Sequence, residues 1–340
     1  MRYNLHMSNQ PPFDITPAIL NTVEQIGELL GRMDAQQQAR ELSLRRVSRI
    51  QTLQGTLAIE GNTLAQEQIQ TILQGKPVIA PPREIQEVRN AIKVYDALDQ
   101  FNPTAKTHLL KAHKLLMTGL LDAPGKFRQS GVGVVGSEKK VLHVAPPAHL
   151  VPKLVADLQD WLKHTDHHPL ITSCVFHYEF EFIHPFEDGN GRIGRLWQTV
   201  ILSRWNPIFA TIPVESMIHA HQQDYYNAII QSSEDARSTV FIQWMLNIIL
   251  QTLKASVTPQ VAPQVTPQVR RLLKILDMPL SRQQIMAKLK LRDRKSLAQR
   301  YLQPALEAGL IQMTRPDKPN SSLQQYQITL LGQQSRDAAL

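Results

Sequence analysis

The sequence predicts a mainly α-helical protein in two parts: a large helical domain carrying one β-hairpin "flap", and a small C-terminal winged helix-turn-helix domain. Three observations predict it. Apolar residues recur at three- and four-residue spacing through most of the chain before residue 254. A proline-rich repeat then interrupts that pattern once. The net charge of +8 lies entirely beyond the repeat.

In the first part, the periodicity places helices at 16–33, 39–55, 83–101, 107–120, 150–164, 170–183, 190–203 and 238–253. Val132-Gly-Val-Val-Gly136 and Val141-Leu-His-Val144 flank Ser-Glu-Lys-Lys and read as a hairpin. Residues 254–269 repeat a Val-Thr/Ala-Pro-Gln unit. Prolines at four-residue spacing exclude a helix and favour an extended, semi-rigid linker. Beyond it, helices at 269–276, 282–289 and 294–308 precede short strands at 310–314 and 324–329, the winged-helix order. The expected organisation is an N-terminal helical region (1–105), a helical core (106–253), the linker (254–269) and the winged helix (270–340).

Residues 270–340 hold 13 Lys+Arg against 5 Asp+Glu, which leaves 24 of each sign in the rest of the chain. A compact basic segment suits nucleic-acid contact, because neutralised phosphates release counterions. Arg292, Arg294, Lys295 and Arg300 lie at or near the start of the third helix, where they would reach DNA. Winged helices also serve protein contacts, so both partners stay open. The single cysteine, Cys174, sits in an apolar run and reads as a buried thiol in a reducing compartment. With no leader pattern and no apolar run of membrane length, the expectation is a cytoplasmic protein without membrane contact.

The chemistry concentrates in His184-Pro-Phe-Glu-Asp-Gly-Asn-Gly-Arg-Ile-Gly-Arg195. Pro185 ends one helix and leaves His184 at its exit. Gly189 and Gly191 allow a tight turn into the next helix, whose N-terminus forms an anion site. Arg192 and Arg195, three apart, add charge-assisted bonds to phosphate. Asp188 offers a hard oxygen for Mg²⁺, and His184 can take a proton from a hydroxyl. Phosphoryl or nucleotidyl transfer follows. Gly189, Gly191 and Gly194 also match a dinucleotide fingerprint, with Glu215 downstream, but a helix rather than a buried strand precedes them. His177, Glu181 and His184 share one helix face without forming a convincing metal set, and His177 reads as a core histidine. His164, His167 and His168 read as solvated.

The segment resembles the Fic motif, His-x-Phe-x-(Asp/Glu)-Gly-Asn-Gly-Arg-x-x-Arg, and matches every fixed position. Gly125-Lys-Phe-Arg128, the hairpin, Ala145-Pro-Pro147 and Tyr225-Tyr226 look like that family's lead-in, flap, diproline and base-flanking aromatic pair, so the likeness covers about residues 50 to 250. The resemblance implies AMP transfer from ATP to a Tyr, Thr or Ser hydroxyl of a protein target. In that reading His184 is the base, Asp188 holds Mg²⁺, and Phe186 packs into the core. Gly189, Asn190, Gly191, Arg192 and Arg195 bind phosphate, and Tyr225 and Tyr226 lie near the base. The flap residues Val132, Gly133, Val134 and Val135 border the nucleotide and hold the target as an added strand. Ser233 departs from the Asn that some relatives carry after the tyrosine pair.

Upstream, Thr56-Leu-Ala-Ile-Glu60-Gly61 resembles the family's inhibitory motif, in which Glu60 would pair with Arg195. Gly61 is expected to end its helix, and Thr63 with Gln66 to form a capping box for the next. Self-modification and dimerisation are compatible with the sequence. Rival readings are a DNA-binding regulator with a latent Fic domain, removal of AMP as the main reaction, and transfer of UMP or another phosphate-containing group.

Overall fold

The computed structural model describes residues 10–36, 42–131, 133–135, 141–257, 266–291, 293–315, 321 and 323–337. The chain groups into two compact units, Met1–Arg40 with Ser48–Val257, and Glu41–Val47 with Thr258–Leu340. Mainly helical structure is observed in both.

The first unit contains α1 (Pro17–Gln36), the part of α2 (Leu42–Ala58) from Ser48 onward, α3 (Gln66–Leu73), α4 (Pro82–Asp96) and α5 (Lys106–Met117). The hairpin β1 (Gly133–Val135) and β2 (Val141–Val144) follows, then α6 (Val151–His164), α7 (Pro169–Ile183) and α8 (Asn190–Trp205). Last come α9 (Val214–Ala220), α10 (Gln222–Glu234) and α11 (Thr239–Val257). α7 is the centre. Nearly every side chain from Leu170 to Ile183 is buried, which is why its sequence is apolar on all faces rather than along one stripe. α8 packs along it, and α1 covers α11 with Ile19, Ile26, Leu30 and Met33.

Gly61 has φ +89°, so the chain leaves α2 through a left-handed turn as expected. The expected capping box needs correction. α3 starts at Gln66 with Ala65 as its cap, and Gln68 Oε1 accepts from the Ala65 N–H at 3.0 Å. Thr63 instead donates through its N–H and hydroxyl to Glu84 Oε2, at 2.6 and 2.9 Å. A carboxylate from α4 outcompetes the local cap because it is the stronger acceptor.

The second unit contains α12 (Pro267–Ile275), β3 (Leu280–Ser281), α13 (Arg282–Leu289), α14 (Arg294–Leu297), a π-helical turn (Ala298–Leu302) and α15 (Gln303–Glu307). β4 (Ile311–Met313), β5 (Gln325–Ile328) and α16 (Leu330–Asp337) follow. The sheet has the order β3-β5-β4 and is antiparallel throughout, with Leu280 opposite Tyr326 and Ile311 opposite Ile328. Leu272, Leu273, Ile285, Leu297, Leu302, Leu310 and Tyr326 fill a core of its own. The expected helix 294–308 is thus three pieces. Pro304 cannot donate to the carbonyl one turn back, and the widened π turn ends two residues before it. β3 and α16 are additional to the expected elements. Of the expected linker, residues 258–265 lie outside the described residues, while α11 extends to Val257 and α12 begins at Pro267.

No helix among the described residues is long and apolar enough to cross a membrane.

Candidate active site

The motif loop runs between the end of α7 and the start of α8. His184 caps α7 in the left-handed conformation (φ 48°), donating its N–H to Phe180 O at 2.9 Å. That turn redirects the chain at Pro185. Phe186 is fully buried and stacks on His113 with ring centroids 3.7 Å apart. Gly189 then takes φ +86°, which side chains rarely adopt, and a Cβ there would lie 2.8 Å from Met117 Sδ. The glycine caps α8 and opens its N-terminus.

Two residues outside the loop clamp it. Arg128, buried, donates from Nε to His184 O at 2.7 Å and from Nη1 to Ser130 O at 2.8 Å, and its Nη2 bonds Pro146 O and Ile183 O. Its N–H also donates to Pro185 O at 2.9 Å. His113 Nδ1 accepts from Gly125 N–H at 2.8 Å while Nε2 lies 2.9 Å from Asp188 O. A carbonyl only accepts, so the proton sits on Nε2 and the ring is neutral. Burial lowers its pKa to about 4 in agreement. The lead-in motif pointed to Arg128, although not to its role. Nothing but helical periodicity marked His113, because its partners are main-chain atoms far away in sequence.

Asn190 was expected among the phosphate ligands, and its side chain is committed elsewhere. Oδ1 accepts from Phe186 N–H at 2.8 Å and Nδ2 donates to Phe186 O at 2.9 Å, so the amide rigidifies the loop. Asp188 is 38% exposed. Its Oδ1 accepts from Gly189 N–H (2.6 Å) and Arg192 Nη2 (3.1 Å), and Oδ2 lies 3.5 Å from Arg83 Nη2. One accessible carboxylate beside an anion-binding helix end suits Mg²⁺, which takes its remaining ligands from phosphates and water. Among the described residues, no group of three or more His, Cys, Asp or Glu could hold a metal. The residues present therefore fit a shared rather than a fully protein-bound ion.

The two motif arginines are buried and already paired. Arg192 bonds Asp188 and lies 3.7 Å from Glu87 Oε1. Glu87 in turn accepts from Asn62 Nδ2 at 2.9 Å, which ties α4 to the turn after α2. Arg195, 1% exposed, donates from Nη2 to Glu60 Oε1 at 2.7 Å and to Thr56 O at 3.0 Å, and from Nε to Thr56 Oγ1 at 3.2 Å. Burial alone would lower its pKa, but Glu60, first among its charged neighbours, raises it instead. Glu60 stays 31% exposed, and its Oε1 lies 2.4 Å from where a Cβ on Gly191 would be. The carboxylate thus rests on the first turn of α8, where a negative charge is favoured.

The remaining expected residues divide. Tyr225 is core: it is buried, and its hydroxyl lies 3.1 Å from His177 Nε2. Tyr226 is half-buried, and its hydroxyl accepts from Gln222, which also donates to Ile59 O at 2.9 Å. Ser233 Oγ lies 3.1 Å from Tyr178 OH. His177 uses its other nitrogen on Gln198 Oε1 at 2.7 Å, as a core histidine does. Gly133, Val134 and Val135 form β1, paired with Val144, His143 and Val141. Val132 lies outside the described residues. Cys174 is a buried thiol, pushed up to about 12 by burial.

Comparison with known proteins agrees with this geometry. Residues 101–202 match the Fic/DOC family, and residues 267–329 match the Fic-like C-terminal domain of filamentation-induced-by-cAMP proteins. Two similar curated relatives are a protein adenylyltransferase Fic of Nematostella vectensis (27% identical over 58% of this chain and 46% of that protein) and protein adenylyltransferase fic-1 of Caenorhabditis briggsae (32%, 51% and 34%). The chain spans less than half the length of each. The crystal structure of a Fic family protein from Desulfovibrio desulfuricans G20 is 47% identical, covers 94% of this chain and 98% of its own, and superposes with a TM-score of 0.72. With a match of that identity over nearly the full length of both molecules, the chain belongs to the Fic family.

Proposed function

We propose that this chain is a protein adenylyltransferase, moving AMP from ATP to a Tyr, Thr or Ser hydroxyl of a protein target, and restrained by Glu60. One observation carries the reading. A single loop presents a histidine, an accessible carboxylate and a glycine-capped helix N-terminus backed by two buried arginines. The adenylyltransferase names of the relatives support the same chemistry.

In this reading His184 takes the proton of the target hydroxyl as its oxygen attacks the α-phosphorus. The new O–P bond forms, the bond to the bridging oxygen of the β-phosphate breaks, and pyrophosphate leaves. The N–H groups at the start of α8 and Arg195 bind the phosphates. Asp188 would hold Mg²⁺, which when bound offsets phosphate charge. Tyr226, the accessible member of the tyrosine pair, borders the base, and β1 accepts the target as an added strand. Glu60 is the chain's own anion in that phosphate site. While it engages Arg195 it withdraws a cation from ATP and sets like charge against the triphosphate.

Two secondary readings have observations behind them. The accessible Glu60 carboxylate beside Gly191 could orient a water for removal of AMP from a modified target. In the second unit, read as a winged helix, Arg294, Lys295 and Arg300 are exposed around the start of the third helix, where DNA phosphates would meet them.

The test is incubation of wild type and Glu60→Gly with Mg²⁺, a cell lysate and ATP labelled at either the α- or the γ-phosphate. Label transferred from the α position alone, and more of it with Glu60→Gly, is the expected result. Label from the γ position, or none from either in the variant, would overturn the proposal. Loss of AMP from premodified protein under wild type would mark the reverse reaction.

A further inference from the structure

Behind His184 lies a buried carboxyl that the reaction above does not use. Glu181, one turn earlier on α7, is buried, and its Oε1 has no hydrogen-bond partner among the described residues. An unpaired buried polar atom is costly, so an apolar side chain would serve α7 better if packing were the only requirement. Room for it comes from α8: a Cβ on Gly194 would stand 2.8 Å from Oε1. His184 Nδ1 lies 3.4 Å from the Glu181 carbonyl oxygen and 3.7 Å from Oε2. Both of these acceptors belong to one residue.

We propose that Glu181 is the positioning residue of His184: its two oxygens keep the proton on Nδ1, so that Nε2 is the basic atom, and its ionised carboxylate steadies the imidazolium formed during transfer. The inference rests on the adenylyl-transfer reading. The proton of the target hydroxyl moves to Nε2 as the O–P bond forms and pyrophosphate departs, and the imidazolium later returns it to solvent. An adjacent carboxylate favours the charged ring at that moment.

Other titratable groups among the described residues also face Glu181. Arg195 approaches from α8 and favours its ionisation, while Glu60, from the turn after α2, opposes it. His177 on the same helix stays neutral, lowered to about 3 by burial. Tyr225 and Tyr226 on α10 are both raised by burial and stay protonated. Burial is the largest influence on Glu181 itself and pushes it up to about 8. The carboxyl is therefore neutral in acid and gains its charge as pH rises.

A neutral Glu181 and a glutamine are nearly equivalent, which sets the test. In the Glu60→Gly background, kcat for AMP transfer is compared with and without Glu181→Gln from roughly pH 5.5 to 9, the range in which such general bases titrate. Removing Glu60 also removes its repulsion, so Glu181 ionises at lower pH there than in the parent. The expected ratio is near one in acid and rises to about tenfold or more once Glu181 ionises. A ratio independent of pH would reduce Glu181 to a packing role and overturn the proposal. Titration of the His184 ring nitrogens by NMR in the unsubstituted protein decides the matter without any variant. Coupling to Glu181 gives a two-step curve, and a single step overturns it. If Glu60→Gly transfers no AMP at all, the function proposed above fails, and the ring titration still decides whether Glu181 and His184 are coupled.

Discussion

Arg192 and Arg294 both occupy the first turn of a helix, where a cation works against the helix dipole. The first is 4% exposed and held by Asp188 and Glu87. Arg294 lies in solvent beside Lys295, and Asp293 caps that helix through Lys295 N–H and Ser296 N–H. The two units therefore treat a cation in the first turn of a helix in opposite ways. In the first unit the cations are buried and the chain's own carboxylates hold them. In the second unit the cations stay accessible to solvent. Buried charge of this kind is specific and can be regulated by whichever carboxylate holds it. Exposed charge attracts anions broadly and responds to salt.

The contrast is broken most severely at the base. His184→Ala in the Glu60→Gly protein should cut AMP transfer by about 10²–10⁴ while ATP affinity stays within a few-fold, because the base acts on the incoming hydroxyl. Undiminished transfer in radiolabel assays would remove His184 from the chemistry.

Arg128 shows what buried charge contributes to the scaffold. Arg128→Met strips the donors from main-chain oxygens at Ser130, Pro146, Ile183 and His184. A loss of about 3 kcal/mol in urea unfolding is expected, since leaving several buried acceptors unpaired costs at least that. A change below about 0.5 kcal/mol, the range of ordinary surface substitutions, would show that the clamp is dispensable.

Exchange at Arg195 sharpens the comparison further. Glu60→Gly should raise transfer at least tenfold, equivalent to about 1.4 kcal/mol in the barrier. With Arg195→Ala in place that gain should largely vanish, because both residues act through one ion pair. Additive effects in the double variant would separate Glu60 from Arg195.

For the exposed cations the expectation reverses. Arg294→Ala with Lys295→Ala should leave unfolding stability within about 0.5 kcal/mol. DNA binding by the full chain should weaken, with the log–log salt dependence flatter by up to about one unit for each phosphate no longer neutralised. Binding that is absent at low salt even in the parent would favour a protein partner for this unit.

Much of this protein was legible in one dimension, because much of it is local. Helical periodicity, the Pro-Gln repeat and the charge imbalance all follow from neighbours in sequence, and so do the left-handed turns at Gly61 and Gly189. The motif 184–195 is one continuous segment, a loop and the first turns of α8, and its histidine, carboxylate and arginines could be named before any contact was known. Across the fold, the Glu60–Arg195 pair was legible only through the family resemblance, and most other decisions escaped. Thr63 met Glu84 and not its local cap, Asn190 turned back onto Phe186, and Tyr225 joined the core through His177. His113, Arg128, Glu87 and Glu181 acquired their roles from partners that folding alone brings near. The physical reason is competition. A sequence shows which hydrogen bonds and ion pairs a residue is able to make, whereas burial selects among them, because an unmade bond is costly only where water cannot replace it.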